Sequence, residues 1–211
     1  DNTQVWSFNE EDTSVLWLGT SAGLIKKDLG MGTMQRFVHQ PGNKNSIGDS
    51  YIYVIRKDQE GNFWIGTGNG LSHFDIRSGV FTNYKLVNTA NLPGVPVISL
   101  CIDSRGIIWA GTRDAGLFML NPETGKQGNY RNVPGDNNSI GDNFITSIAE
   151  DSLAGLWIGT ANNAGLKRMD RKTGKFSHYL SGLTITTIHR DKLGDIWVTS
   201  ESGLFRYDRK S

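Results

Sequence analysis

Five tryptophans, Trp17, Trp64, Trp109, Trp157 and Trp197, recur at intervals of 47, 45, 48 and 40 residues. A period of that length holds four short strands and their turns, the content of one propeller blade, and a fixed period constrains a fold more than any local pattern. The surroundings recur with the tryptophans. Trp17-Leu18-Gly19-Thr20, Trp64-Ile65-Gly66-Thr67, Trp109-Ala110-Gly111-Thr112 and Trp157-Ile158-Gly159-Thr160 are four copies, and Trp197-Val198-Thr199-Ser200 is a drifted fifth. Six residues ahead of the last four tryptophans stand Asp58, Asp103, Asp151 and Asp191, with Glu11 in the first copy. Gly61, Gly106, Gly155 and Gly194 follow those aspartates, and a Gly-Leu pair follows each tryptophan. Trp6 lies outside this register.

Each piece has a physical reading. Asp followed by Gly is turn chemistry, because the carboxylate caps nearby amides and glycine accepts positive φ. Trp-x-Gly-Thr reads as a strand whose Trp and Gly share a face. A large aromatic beside a glycine lets neighbouring blades approach closely and still fill the gap. Apolar stretches before each Asp read as first strands: Val5–Phe8, Tyr51–Ile55, Val97–Ile102, Phe144–Ala149 and Ile185–His189. The Trp segment is the second strand, and the residues after Gly-Leu, such as Leu71–Phe74 and Leu204–Tyr207, are the third. Gln35–Val38, Val80–Tyr84, Lys126–Tyr130 and Lys175–Tyr179 supply fourth strands, three of them after a Ser-Gly or Thr-Gly turn. The expectation is an all-β propeller of about five four-stranded blades, over 1–38, 51–84, 96–130, 144–179 and 184–211, with the last blade incomplete.

Composition narrows the function. The 22 basic and 21 acidic side chains nearly balance, which argues against a nucleic-acid partner that would need a basic surface. There is no basic amphipathic run, no apolar stretch near the length of a membrane span and no signal-peptide pattern, so no membrane contact is expected in this segment. Cys101, the single cysteine, sits in an apolar strand and reads as a small buried hydrophobe. His39, His73, His178 and His189 lack zinc spacing, and no metal is expected. His73 and His178 read as outward-facing polar residues. No hydrolase elbow, phosphate loop or kinase motif is present. The expectation is no catalytic residue and no cofactor.

The pattern Asp-x-x-Gly-x-x-Trp-x-Gly-Thr…Gly-Leu…Thr-Gly-x-Phe, clearest over Asp58–Asp75 and Asp151–Asp170, resembles the two-component regulator propeller repeat. The resemblance implies a piece of a seven-bladed propeller from the periplasmic sensor region of a hybrid two-component histidine kinase. In that family two such propellers precede an immunoglobulin-like domain, a membrane helix, a kinase and regulator modules. The implied ligand is an oligosaccharide, and the implied output is control of polysaccharide-utilisation genes by a parent anchored in the inner membrane. Its partners would be the rest of the sensor chain and, through exposed blade ends, a second copy. A propeller lyase related to streptogramin lyases and a protein-interaction propeller are the alternatives.

In a four-stranded meander, the Asp turns and the Thr-Gly turns fall at one end of the blade. The second-to-third-strand loops and the connections Gln40–Ser50, Leu86–Val95 and Arg131–Asn143 fall at the other, and binding groups favour such loops. Arg113, Asp114, Asn162 and Asn163 have the chemistry to bind a sugar there. Asn45-Ser46-Ile47-Gly48-Asp49 and Asn138-Ser139-Ile140-Gly141-Asp142 are near copies. They could be read as oxygen ligands for calcium, but without an EF-hand or nonapeptide pattern they are expected to be structural loops.

Overall fold

The computed structural model describes residues 3–87 and 94–207. The first and last residues and the middle of the Leu86–Val95 connection lie outside the described residues. All regular structure among the described residues is strand. The first repeat holds β1 (Val5–Glu10), β2 (Val15–Thr20), β3 (Gly23–Asp28) and β4 (Met34–Phe37). The second holds β5 (Ile52–Lys57), β6 (Phe63–Thr67), β7 (Gly70–Asp75) and β8 (Val80–Tyr84). The third holds β9 (Val97–Ile102), β10 (Ile108–Thr112), β11 (Leu117–Leu120) and β12 (Gln127–Tyr130). The fourth holds β13 (Ile145–Glu150), β14 (Leu156–Thr160), β15 (Gly165–Met169) and β16 (Phe176–Tyr179). The fifth holds β17 (Ile185–Arg190), β18 (Ile196–Ser200) and β19 (Gly203–Tyr207). Each repeat is one sheet in chain order, with four strands in the first four repeats and three in the last. This is a β-propeller fold, incomplete as described. The strands begin and end within one or two residues of the positions expected from the sequence.

The repeated carboxylate does two jobs. One oxygen of Asp58, Asp103, Asp151 and Asp191 accepts the backbone N–H groups two and four residues on, at 2.7–3.0 Å. The other oxygen of Asp103, Asp151 and Asp191 accepts the indole N–H of the tryptophan six residues on, at 2.9, 2.9 and 2.8 Å. The first repeat divides the work: Glu11 takes the Trp17 indole at 2.8 Å, while Asp12 caps Ser14 and Val15. In the second repeat His73 takes the place of the indole, with Nε2 3.1 Å from Asp58. His73 also packs on the Trp64 ring at 4.7 Å, so it is half-buried in this arrangement and not simply outward-facing. The residue opposite each tryptophan on the third strand supplies a cation over its face in three repeats: Lys26, Arg168 and Arg206. In the third repeat Met119 holds that position, and Arg171 lies over Trp109 instead, 5.7 Å from the ring.

The turn after Asp151 departs from the expected pattern. Gly61, Gly106 and Gly194 adopt φ of 89°, 75° and 86°, and each donates its N–H to the carbonyl of the repeat aspartate. In the fourth repeat Ala154, not Gly155, holds this place, with φ 60°. A left-handed residue carrying a Cβ is strained by roughly 1–2 kcal/mol. Ala154→Gly is therefore expected to raise stability by about 1 kcal/mol, less the entropy glycine loses on folding. An unchanged or lower urea midpoint would show that the turn is not strained.

The described residues pack as two compact units: the first two repeats with the start of β9, and the rest of the third repeat with the fourth and fifth. In the first unit Trp17 is buried against Phe37, Phe63 and Phe74, with ring centroids 5.2–5.6 Å away. Gly19 and Gly66 sit where a Cβ would come within 2.8 Å of Ile52 and 2.5 Å of the Val97 carbonyl. The glycine of Trp-x-Gly-Thr is thus the point at which the first strand of the following repeat approaches. Ser7 adds a polar stitch at the same boundary, its hydroxyl accepting the Ile55 N–H at 3.1 Å. In the second unit Gly159 meets Ile185, and Ser147 accepts the Ile188 N–H at 2.9 Å, by the same geometry. Cys101 is a partly buried member of the core beneath Trp109, and burial first, then Glu150 and Asp103, pushes its thiol up to about 11.

Candidate functional site

The loops between second and third strands are closed by the threonine of Trp-x-Gly-Thr. Thr20, Thr67, Thr112 and Thr160 are fully buried, and each hydroxyl donates to a glycine carbonyl across the loop at 2.5–3.0 Å. Three of these hydroxyls also accept a loop N–H. The loops project from rigid strand ends as a result, as a binding surface needs.

The two near-copy connections share one conformation. Ser46 and Ser139 accept the N–H of Gln40 and Val133. Ile47 and Ile140 are fully buried. The carbonyls of Asn45 and Asn138 accept the N–H of Phe81 and Phe176 in outer strands, and Asp49 and Asp142 cap Tyr51 and Phe144 at 2.7 Å. These contacts make the segments fitted structural loops. Among the described residues no cluster of His, Cys, Asp and Glu could hold a metal ion.

In the first unit the Gln40–Ser50 connection walls a cleft of about 490 Å³. His39 and Lys44 line one side, Asn69 another, and Asn83, Tyr84 and Lys85 the third. Its walls are hydrogen-bonded from behind. Ser72 donates to Asn83 at 2.6 Å and accepts the Gly48 N–H at 3.1 Å, Asn83 donates to the Ser46 carbonyl at 2.9 Å, and the His39 Nδ1 lies 2.9 Å from the Ile47 carbonyl. Burial raises the Tyr84 phenol above its ordinary value, so it stays a neutral donor. Amides, two ammonium groups, an imidazole and a phenol around an open cleft can hydrogen-bond the hydroxyls of a sugar.

The expected binding residues lie in the second unit. Arg113 and Asp114 are exposed, and the Arg113 guanidinium stands 5.7 Å from the Phe144 ring. Asn162 and Asn163 are exposed in left-handed conformations, φ 52° and 60°. Asn162 donates to Asp142 at 3.2 Å, and Asn163 is tied to Thr184 through its N–H and its side-chain oxygen. Asp142 also caps the Phe144 N–H, so Arg113 and Asn162 meet the same loop. The two asparagines therefore carry turn duties as well as exposed amides. Sequence reasoning missed Lys167, which with His178 occupies the positions that Ser72 and Asn83 hold in the first unit. Lys167 is buried, its ammonium donates to the Ala164 carbonyl, and burial lowers its pKa against the pull of Asp142. Its signal in the sequence was a lysine at an inward-facing strand position.

The two-component regulator propeller model matches residues 46–69 and 91–114, the first stretch running from the loop wall of the cleft through Trp64 to Asn69. The chain is similar to the extracellular domain of a protein assigned as a hybrid two-component system from B. thetaiotaomicron, at 26% identity and a TM-score of 0.78, over 96% of this chain and 27% of that one. A second extracellular domain of this kind from the same organism is 21% identical, with a TM-score of 0.81 over 98% of this chain and 27% of that one. Virginiamycin B lyase from Staphylococcus aureus shares the fold at 14% identity and a TM-score of 0.71, over 98% of this chain and 70% of the lyase. The chain thus spans about a quarter of the length of the two sensor domains. No curated protein sequence matches it.

Proposed function

We propose that this chain is part of the periplasmic sensor region of a hybrid two-component histidine kinase and that its loop surface binds an oligosaccharide released from a polysaccharide. The observation that carries the reading is the two-component regulator propeller repeat at 46–69 and 91–114, supported by the open cleft that the first of these segments helps to wall. Ligand at the loop surface would favour one arrangement of the sensor region over another, and that difference in affinity is the only means by which it can bias a kinase across the inner membrane. Genes for polysaccharide utilisation are the output this reading assigns.

The same reading gives the exposed face of β1 to the rest of the sensor chain. Val5 and Phe8 are 55% and 67% exposed, whereas Ile52 and Ile55, their register equivalents in β5, are fully buried beneath the first repeat. An apolar face of this kind marks an interaction surface. Light scattering on the 211-residue chain distinguishes a monomer, which leaves this face for the longer sensor, from a self-associating species, which assigns it to a second copy.

Calorimetric titration of the chain with oligosaccharides tests the central claim. The expected result is saturable binding to a subset of glycans, with each ligand recovered intact. Cleavage of the glycan, or elimination on a streptogramin B substrate, would replace the sensor reading with an enzymatic one.

A further inference from the structure

Trp6 does not belong to the tryptophan repeat, and nothing in the packing of the blades requires it. It is 49% exposed. Its indole lies 6.2 Å from the Tyr51 ring, and Tyr51 lies 4.8 Å from Tyr53. All three residues stand on or beside the first strands of the first unit, and both tyrosines are only partly buried. The strands that carry them are irregular where it matters. The ladder between β1 and β2 shifts between Val5 and Ser7, and that between β5 and β6 shifts between Ile52 and Val54. Trp6 and Tyr53 are thus the extra residues of two β-bulges, a device that re-aims a side chain out of the ladder and recurs beside functional sites. The fourth and fifth repeats have the same bulge but place Thr146 and Thr186 there, so the fold needs the bulge and not the aromatic ring.

We infer that Trp6, Tyr51 and Tyr53 form a stacking platform for a pyranose ring of the bound saccharide. This deepens the oligosaccharide reading and rests on it. A partly exposed row of rings, tilted 33° and 43° from one to the next, offers apolar faces to the C–H groups of a sugar, and tyrosine adds a polar edge for its hydroxyls. Among the described residues none takes up the hydroxyl of Tyr51 or Tyr53, whereas the backbone of the platform is held firmly. Asp49 accepts the Tyr51 N–H at 2.7 Å, and the Tyr51 carbonyl accepts the Gly68 N–H at 2.9 Å. Gly48 and Asn69, next to Asp49 and Gly68 in the chain, line the cleft. A chain of sugar rings could lie on the platform and place its hydroxyls in the cleft. A short aliphatic or purely ionic ligand would use only one of the two features.

The test is titration of the 211-residue chain and of Trp6→Ala, Tyr53→Ala and Trp6→Phe with neutral and acidic hexasaccharides, following heat and tryptophan fluorescence. Trp6→Ala and Tyr53→Ala are expected to weaken binding about tenfold each, Trp6→Phe is expected to restore most of it, and ligand is expected to change the fluorescence of the parent chain but not of Trp6→Ala to the same extent. Thermal midpoints check that the variants remain folded. Undiminished binding by both alanine variants would overturn the platform and leave the oligosaccharide reading standing. Failure of every saccharide to bind the parent chain would overturn both.

Discussion

Asp103→Ala is expected to cost about 3–5 kcal/mol of stability, or a fall of roughly 10 °C in Tm for a chain of this size. The Asp103 carboxylate is completely buried. One oxygen holds the N–H groups of Arg105 and Ile107, and the other holds the Trp109 indole and lies 3.1 Å from the Arg171 guanidinium. Arg171 is itself nearly buried and shared with Glu150 at 2.9 Å. Removing the carboxylate leaves Arg171 with Glu150 alone and takes the acceptor from three N–H groups, among them the buried Trp109 indole, and a lost partner at a buried group costs more than the pair contributed. Asp103→Asn keeps an acceptor for the turn but presents an amide N–H to the indole and Arg171, so its loss should be smaller by the share of the turn. Chemical denaturation of the three proteins gives the comparison. Equal losses in the two variants would mean that the turn acceptor kept by Asn adds nothing and that the charge and the second oxygen carry the effect.

Gly66→Ala is expected to destabilise by about 3 kcal/mol, the upper end for overpacking. A Cβ at Gly66 would stand 2.5 Å from the Val97 carbonyl oxygen, 2.6 Å from a Val54 methyl and 2.8 Å from a Val97 methyl. A backbone carbonyl cannot swing aside, so the strand carrying Val97 would have to move. Gly128→Ala is the control, because a Cβ there finds its nearest atom at 3.6 Å and no positive φ is involved. It should be neutral or slightly stabilising through the unfolded chain. If both alanines behave alike, close approach at Trp-x-Gly-Thr is not what the glycine provides.

The strands and their pairing were legible because two periods coincide: the alternation of faces along a strand and the spacing of the tryptophans. The glycine of Trp-x-Gly-Thr was legible too, since close approach is the ordinary reason for a glycine in a strand. The partner of the aspartate was not. A residue six positions away in sequence reaches the indole only after the first hairpin closes, and turn chemistry alone explained the Asp-Gly pair well enough to hide it. The missing glycine register at Asp151 was visible in the letters, yet only backbone angles show that Ala154 carries the strain. At the candidate site, loop composition pointed to Arg113 and Asn162 as exposed polar groups but could not reveal a cleft, which depends on how the Gln40–Ser50 loop leans on β8. Trp6 failed the repeat pattern, and that failure was the one local sign of the platform.

The aspartates have a consequence for behaviour in acid. Hydrogen bonds from the Ser14 backbone and hydroxyl to Asp12, and from the Trp197 indole to Asp191, hold these carboxyls below their ordinary value. At Asp151 burial opposes ionisation, but the Gly155 N–H, the Trp157 indole and the Leu153 N–H outweigh it. A folded-state pKa below that of the unfolded chain means that the unfolded chain takes up protons first as the medium acidifies. The stability these groups confer is therefore complete above about pH 4 and is withdrawn only as pH falls through their folded values. At Asp151 and Asp191 the same carboxylate fastens turn and indole, so a proton taken up there weakens both contacts at once and loosens turn and strand together.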